Sequence, residues 1–232
     1  MTGTLKFLCA GAAQGLLRAL QPQFEADTGW QLEGRFGAVG AMKEALLAGE
    51  PCDLLVLTDP MVRSLAAEGR LRADSLAALG RVRTGVAVKS GQALPEVATP
   101  EALAATLRAA DSIYFPDPVR ATAGIHFANV MRELGLHDEL QPRFRTFPNG
   151  ATAMRELAAS SDARPIGCTQ VTEILYIEGV QLAALLPACF ELATVYTAAV
   201  SAASQQPAAS AELVARMAGP EARALRLAGG FE

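Results

Sequence analysis

Short apolar segments alternate with amphipathic helical segments over the first third of the chain. Apolar runs at residues 5–9, 31–36 and 53–57 have the length of buried strands. Each run is followed by Leu, Met or Phe residues at helical spacing, at about residues 12–27, 39–48 and 60–68. This βαβαβα order predicts an α/β fold, with a mostly parallel sheet that carries helices on both faces.

The same alternation continues through the rest of the 232 residues, a length that suits one large or two small domains. Further strands are predicted at residues 83–89, 112–115, 165–169, 182–186 and 191–201. Further helices are predicted at residues 100–109, 123–134, 151–159 and 171–176, and a final helix system at 211–227.

The composition indicates a globular protein, because 51% of the residues are hydrophobic and only 19% are charged. The formal charge of −4 shows no basic surplus, so no nucleic-acid partner is expected. The apolar stretch at 182–203 contains Pro187 and Glu191, which favours a buried turn and strand over membrane insertion. No signal peptide is recognised, so the sequence as written predicts a cytoplasmic protein; a periplasmic one is expected if a leader has been removed.

The four cysteines, at positions 9, 52, 168 and 189, show no C-x-x-C spacing, and the chain has only two histidines. This pattern favours buried free thiols and argues against a metal site. Free thiols also favour a reducing compartment.

Four strand-to-helix junctions are rich in small residues, at 10–15, 37–41, 121–124 and 149–152. Small residues let a ligand approach backbone N–H groups, and helix N-termini favour an anion. In parallel sheets such junctions lie together at the carboxyl ends of the strands. The predicted ligand-binding residues are therefore Gly11, Ala12, Gln14, Ala38, Val39, Arg120, Thr122, Ala123, Asn149, Gly150, Thr152 and Gln170.

Motifs for other common chemistries are missing from the sequence. It has no G-x-G-x-x-G fingerprint, no phosphate-binding loop and no G-x-S-x-G elbow. Nucleotide cofactors and serine hydrolysis are therefore poorly supported, and no cofactor is expected.

At these junctions the chain resembles the periplasmic molybdate-binding proteins of ABC transporters, which have the type II periplasmic-binding-protein fold. The resemblance is carried by residues 10–20, 47–56, 117–125, 165–167 and 219–222. It implies two α/β lobes, each a mostly parallel sheet flanked by helices, with a hinge of two crossing strands and an anion in the cleft between the lobes. The implied boundaries are 1–82 plus 193–232 for lobe 1 and 83–192 for lobe 2.

The chain departs from that family at its side-chain donors. The serine positions of the first two junctions correspond to Ala12 and to Ala38 or Val39, and a common tyrosine position corresponds to Gln170. The remaining amides, hydroxyls and guanidinium groups suit a planar di- or tricarboxylate better than a tetrahedral oxyanion. A substrate-binding protein of this family is therefore predicted, with an ABC permease as partner if the chain is exported.

The chain is also similar to a sub-branch of this fold that contains aconitate isomerase, through residues 84–89, 170–174 and 185–187. This similarity implies the alternative function, a cofactor-free isomerase or tautomerase of an unsaturated polycarboxylate. Its catalytic residues would be Glu173 as general base and His126. Otherwise Glu173 offsets the dipole of a short helix. A regulator effector domain of LysR type shares the fold but is disfavoured, since no DNA-binding helices precede residue 1.

Overall fold

The chain forms two compact units in the computed structural model, which describes residues 3–232. The first unit contains the chain up to Val82 together with Thr194–Glu232, and the second contains Arg83–Ala193. The second unit is therefore an insertion within the first, and the chain passes from one unit to the other at two points in its sequence.

Strands and helices alternate along most of the described chain. The strands are β1 (Gly3–Ala10), β2 (Trp30–Gly37), β3 (Leu54–Thr58), β4 (Ala77–Lys89), β5 (Ser112–Pro116), β6 (Phe144–Phe147), β7 (Pro165–Gln170), β8 (Val180–Leu185) and β9 (Ala193–Val200). The helices are α1 (Gln14–Thr28), α2 (Val39–Leu47), α3 (Asp59–Ala67), α4 (Pro100–Ala109), α5 (Thr122–Glu133), α6 (His137–Leu140), α7 (Gly150–Ala159), α8 (Val171–Tyr176), α9 (Pro207–Ala218) and α10 (Arg223–Ala228). Turns of 3-10 helix lie at Gly11–Ala13, Ala73–Ser75, Gln141–Arg143, Ala188–Phe190 and Pro220–Ala222.

In the first unit, β1 pairs with β2 and β3 in parallel, and β9 pairs with β3 in the antiparallel direction. Every residue of β3 is buried, as expected for a strand covered by helices on both sheet faces. Leu17 and Phe24 of α1 and Leu213 of α9 are fully buried in the same apolar core. The core of this unit is thus built from residues distant in sequence.

In the second unit, β5 lies between β6 and β7 and is parallel to both. Strand β4 runs antiparallel to β7 on one side and to β8 on the other. Crossover helices between parallel strands cover both faces of the sheet, which explains why β5 and β7 are buried throughout.

Strand alternation divides the apolar residues of the second unit into two clusters, one on each face of its sheet. Ile113 and Phe115 pack in a cluster with Leu103 of α4 and Phe127 of α5. Tyr114, one position away, packs in the other cluster, which includes residues of α7 and α8. Helices α4 and α5 therefore cover one face and α7 and α8 the other, because successive strand side chains point in opposite directions.

Most predicted elements are present, but some boundaries are wrong. Strand β4 begins at Ala77, six residues before the predicted start, because the backbone of Arg81 exchanges two hydrogen bonds with that of Glu232. Strand β6 was not predicted; it lacks an apolar run because Arg145 and Thr146 are exposed at the edge of the sheet. The four-residue helix α6 is also additional, and the final helix system starts at Pro207.

The thiol prediction holds at three of the four positions. Cys9, Cys52 and Cys168 are buried and free, whereas Cys189 is exposed. Cys189 lies in the 3-10 turn Ala188–Phe190, in which no residue is buried, so its apolar neighbours in sequence do not enclose it.

Candidate functional site

The carboxyl ends of three parallel strands meet at one edge of the sheet in the second unit. Strand β5 leads to the start of α5, β6 to the start of α7, and β7 directly to α8. Strand β4 runs the other way, and Thr84 near its entry into this unit is the register partner of Gln170 at the end of β7. This arrangement brings Thr84 to the same edge as the three helix starts.

Strand alternation separates the side chains at this edge onto the two sheet faces. Ile166 and Cys168 of β7 pack in the cluster with α4 and α5, so Gln170, two positions further on, shares their face. Thr84 lies directly opposite Gln170 in an antiparallel pair and shares that face as well. Thr169 points to the other face, where it donates a hydrogen bond to Glu173.

Three polar side chains at this edge are buried without a hydrogen-bond partner among residues 3–232. They form what we call the amide–hydroxyl cluster, which consists of Thr84, Gln170 and Thr172. Their exposed fractions are 2%, 2% and 5%, and the unpartnered atoms are both hydroxyl oxygens and both polar atoms of the Gln170 amide. A buried polar group without a partner costs about 1–3 kcal/mol, so such a group points to an external partner.

Glu173 is buried and accepts hydrogen bonds from several donors at once. Its carboxyl group accepts from the Thr169 hydroxyl at 2.5 Å and from the backbone N–H groups of Gly150, Ala151 and Gln170. Burial raises the pKa of Glu173, and these hydrogen bonds oppose that rise. A Cβ at position 150 would collide with the carboxyl group and the Thr169 hydroxyl, so this contact requires glycine.

The polar groups at the start of α7 therefore already have hydrogen-bond partners within the second unit. Besides the bonds to Glu173, the side chain of Asn149 caps the helix by accepting from the N–H of Thr152 at 2.8 Å. The Thr152 hydroxyl accepts from Arg155. Three predicted ligand-binding residues, Asn149, Gly150 and Thr152, thus all make local hydrogen bonds in this structure.

The start of α5 differs, because no side chain among the described residues caps it. Its N-cap residue is Ala121, and Thr122 and Ala123 form the beginning of the first turn. The preceding loop is held by Asp117, whose carboxyl oxygen accepts from the N–H groups of Val119 and Arg120. Arg120 is exposed in this structure and donates through its backbone.

His126 lies one turn into α5 and is half-buried. Its Nε2 atom is 2.8 Å from the carbonyl oxygen of Phe190. Because a carbonyl oxygen can only accept, Nε2 is the donor in this hydrogen bond. In this position His126 ties α5 to the turn before β9.

The predicted residues of the first unit lie together at the carboxyl edge of its own sheet. Ala10 of β1 and Gly37 of β2 are register partners, so the two following junctions are neighbours. Gly11, Ala12, Ala38 and Val39 are buried and Gln14 is half-buried. Within residues 3–232, no side chain caps α1 or α2, whose N-cap residues are Ala13 and Ala38. This edge offers backbone donors and few polar side chains.

Other ionisable groups of the first unit make local pairs. Asp59, in the first turn of α3, accepts from Arg63 and from the Thr197 hydroxyl, and the hydrogen bond from Arg63 lowers the pKa of Asp59. Across residues 3–232 no three His, Cys, Asp or Glu side chains are grouped in a way that would hold a metal ion.

The sequence profile of one protein family matches nearly the whole chain, residues 5–232. The chain belongs to the bacterial extracellular solute-binding protein family. This membership agrees with the predicted resemblance to binding proteins. None of the helices formed by residues 3–232 has the length and apolar character that a membrane crossing requires.

Solved structures of other binding proteins confirm the predicted fold for this solute-binding protein. The periplasmic molybdate-binding protein of Azotobacter vinelandii is 22% identical, with a TM-score of 0.79 and 98% of each chain covered. The sulfate-binding protein of Mycobacterium tuberculosis is 16% identical, with a TM-score of 0.73, and the match covers all of this chain and 86% of that one. The fold is therefore the type II periplasmic-binding-protein fold.

A further relative is an enzyme. Aconitate isomerase from a Pseudomonas species is 25% identical over 225 residues, which is 94% of this chain and 84% of that protein. This similarity agrees with the predicted sub-branch.

The structure adds Thr84 to the predicted site residues and gives Glu173 a local role that the sequence did not reveal. The sequence does contain a signal for Thr84, because it lies two and four residues before Val86 and Val88 and therefore on the same buried face of the strand. Thr169 and Gln170 are close to Glu173 in sequence, but its other two donors, at 150 and 151, are more than twenty residues away and gave no signal.

Proposed function

We propose that this solute-binding protein captures a small anion, and that a di- or tricarboxylate is preferred over a tetrahedral oxyanion. The observation that carries the proposal is the amide–hydroxyl cluster, whose buried polar atoms have no partner within the described chain. The cluster lies at the same edge of the sheet as the uncapped start of α5, and Thr84 and Gln170 lie on the sheet face that α5 covers. The backbone N–H groups at the start of this helix favour a negative charge.

The preference for a carboxylate follows from the kinds of hydrogen-bond donor that the two units offer. At the carboxyl edge of the first unit, Ala12 and Ala38 contribute no hydroxyl, so the first two junctions offer mainly backbone donors. An amide and two hydroxyls in the second unit match the few, directional oxygens of a carboxylic acid better than four equivalent oxygens. In an exported form the protein would deliver this solute to an ABC permease.

A thermal-shift screen with matched variants tests the proposal. The panel contains molybdate, tungstate, sulfate, phosphate and a series of di- and tricarboxylates. A ligand at one hundred times its Kd adds about 2.7 kcal/mol to the free energy of unfolding, which is readily measured. Carboxylates should stabilise the wild type and fail to stabilise Gln170→Leu, while the exposed-site control Gln141→Leu should respond like the wild type.

Two outcomes of this screen would contradict the proposal. Stabilisation by molybdate and tungstate alone would assign the protein to oxyanion binding through backbone donors. An unchanged carboxylate response in Gln170→Leu would remove the cluster from the site.

The relationship to aconitate isomerase favours a second candidate, a cofactor-free isomerase of an unsaturated polycarboxylate. Glu173 and His126 are its proposed proton carriers, and each would first have to release the hydrogen bonds that it makes here. Incubation with aconitate in deuterated solvent, followed by NMR, distinguishes the two functions. Exchange of the allylic protons that is lost in Glu173→Gln supports the enzyme, and binding without exchange contradicts it.

A further inference from the structure

The Gln170 amide presents a donor and an acceptor that both need partners. Its Nε2 atom carries two N–H donors and its Oε1 atom accepts, and neither has a partner among the residues the structure describes. Rotating the amide by 180° exchanges the two atoms but leaves the same requirement. The conclusion therefore does not depend on which atom is assigned as oxygen.

The two neighbouring hydroxyls do not donate a hydrogen bond to the oxygen of the Gln170 amide. Thr84 is the register partner of Gln170 and Thr172 is two residues away in sequence, yet neither hydroxyl makes a hydrogen bond with the amide. Both hydroxyls can donate to a solute. When a solute displaces water from this place, the Oε1 atom of Gln170 needs a donor from the solute.

We propose that the captured solute is a hydroxycarboxylate, whose hydroxyl donates to Gln170 while its ionised carboxylate lies towards the uncapped start of α5. This inference rests on the proposed function, because it concerns the solute bound at the same cluster. A fully ionised solute without a hydroxyl has only hydrogen-bond acceptors. One of its oxygens would then face Oε1 of the Gln170 side chain, another acceptor, with no proton between the two oxygens.

Ordered water would meet the same needs in the unliganded protein. A water molecule donates and accepts, and a solute hydroxyl reproduces both hydrogen bonds when it displaces the water. A solute that lacks the hydroxyl loses one of them, which weakens its binding.

Calorimetry on the wild-type protein with ligand pairs that differ by one hydroxyl tests the inference. The pairs are lactate and propionate, malate and succinate, and citrate and tricarballylate, with aconitate as a further ligand that has no hydroxyl. In the pair that fits the site, the hydroxy acid should bind at least tenfold more tightly. In Gln170→Leu this ratio should fall to about one, and in Gln141→Leu it should persist.

Failure of the inference and failure of the proposed function give different results. Equal or tighter binding of the deoxy partner, or of aconitate, overturns the hydroxycarboxylate and leaves the carboxylate-binding function in place. No binding by any member of the three pairs overturns both. The wild-type ratio needs no variant, so the test stands even if Gln170→Leu does not fold.

Discussion

Removal of the Glu173 carboxyl group should destabilise the second unit more than removal of any ordinary helix cap. Glu173→Ala deletes the acceptor for the Thr169 hydroxyl and for three backbone N–H groups, all within Arg83–Ala193. The natural comparison is Asn149→Ala, which deletes a single cap on the same helix, α7.

The magnitude follows from the groups left without partners. One unmet buried donor costs about 1–3 kcal/mol, and Glu173→Ala leaves a hydroxyl and three backbone N–H groups without this acceptor. We expect a loss of about 3 kcal/mol for Glu173→Ala, because several donors lose their partner while the variant no longer has to bury a carboxyl group. Loss of the Asn149 cap should cost about 1 kcal/mol. Against a typical total of about 5–15 kcal/mol, only the first change threatens folding.

Urea unfolding followed by circular dichroism measures both free energies. Hydrogen exchange with mass spectrometry then locates the effect, because lost protection should concentrate in residues 150–159. If Glu173→Ala costs no more than Asn149→Ala, the carboxyl group is not what holds the start of α7, and the reasoning about the site edge fails with it.

Three further predictions concern other features. Burial raises the pKa of Glu173, so its contribution to stability is complete below about pH 4.5 and declines as the pH rises through the folded-state pKa. Glu173→Gln should therefore have a lower free energy of unfolding than the wild type, and the difference between the two should be largest near pH 4 and smallest near pH 8. A difference that grows with pH would refute this. Gly124→Ala places a Cβ against the backbone carbonyls of Pro116 and Asp117 at the end of β5. It should cost about 1–3 kcal/mol in urea unfolding, and a loss below about 0.5 kcal/mol would count against this expectation. Thiol labelling with mass detection should modify Cys189 in the native protein and the other three cysteines only in denaturant; burial raises the pKa of all three, that of Cys52 to about 12.

Elements with a strong apolar pattern could be predicted from the sequence. Helices α4 and α8 have the predicted bounds, and β3 and β5 lie within one residue of theirs, because each has a compact apolar run or a clear helical spacing. Strand β6 could not be predicted, since hydrogen bonding to β5 rather than apolar burial defines it. The early start of β4 depends on Glu232, which is distant in sequence.

The candidate site was accessible from the sequence only in part. Gln170 directly follows a predicted strand, at a position where the molybdate-binding proteins often have a tyrosine, so it could be predicted as a site residue. Thr84 required the antiparallel register between β4 and β7, which no local pattern contains. The bonds from Glu173 to the start of α7 required the packing of two helices, so the sequence could not show that Gly150 has a partner inside the protein.

The insertion of the second unit within the first has a consequence for the order in which the protein matures on the ribosome. All residues of the second unit have been synthesised at Ala193, whereas the first unit still lacks β9, the partner of β3, and Glu232, the backbone partner of Arg81. At about 5–20 residues per second, the 39 residues of Thr194–Glu232 take roughly two to eight seconds to add. During that interval β3 lacks its antiparallel partner, so the first unit has an unpaired strand edge that could pair with another chain.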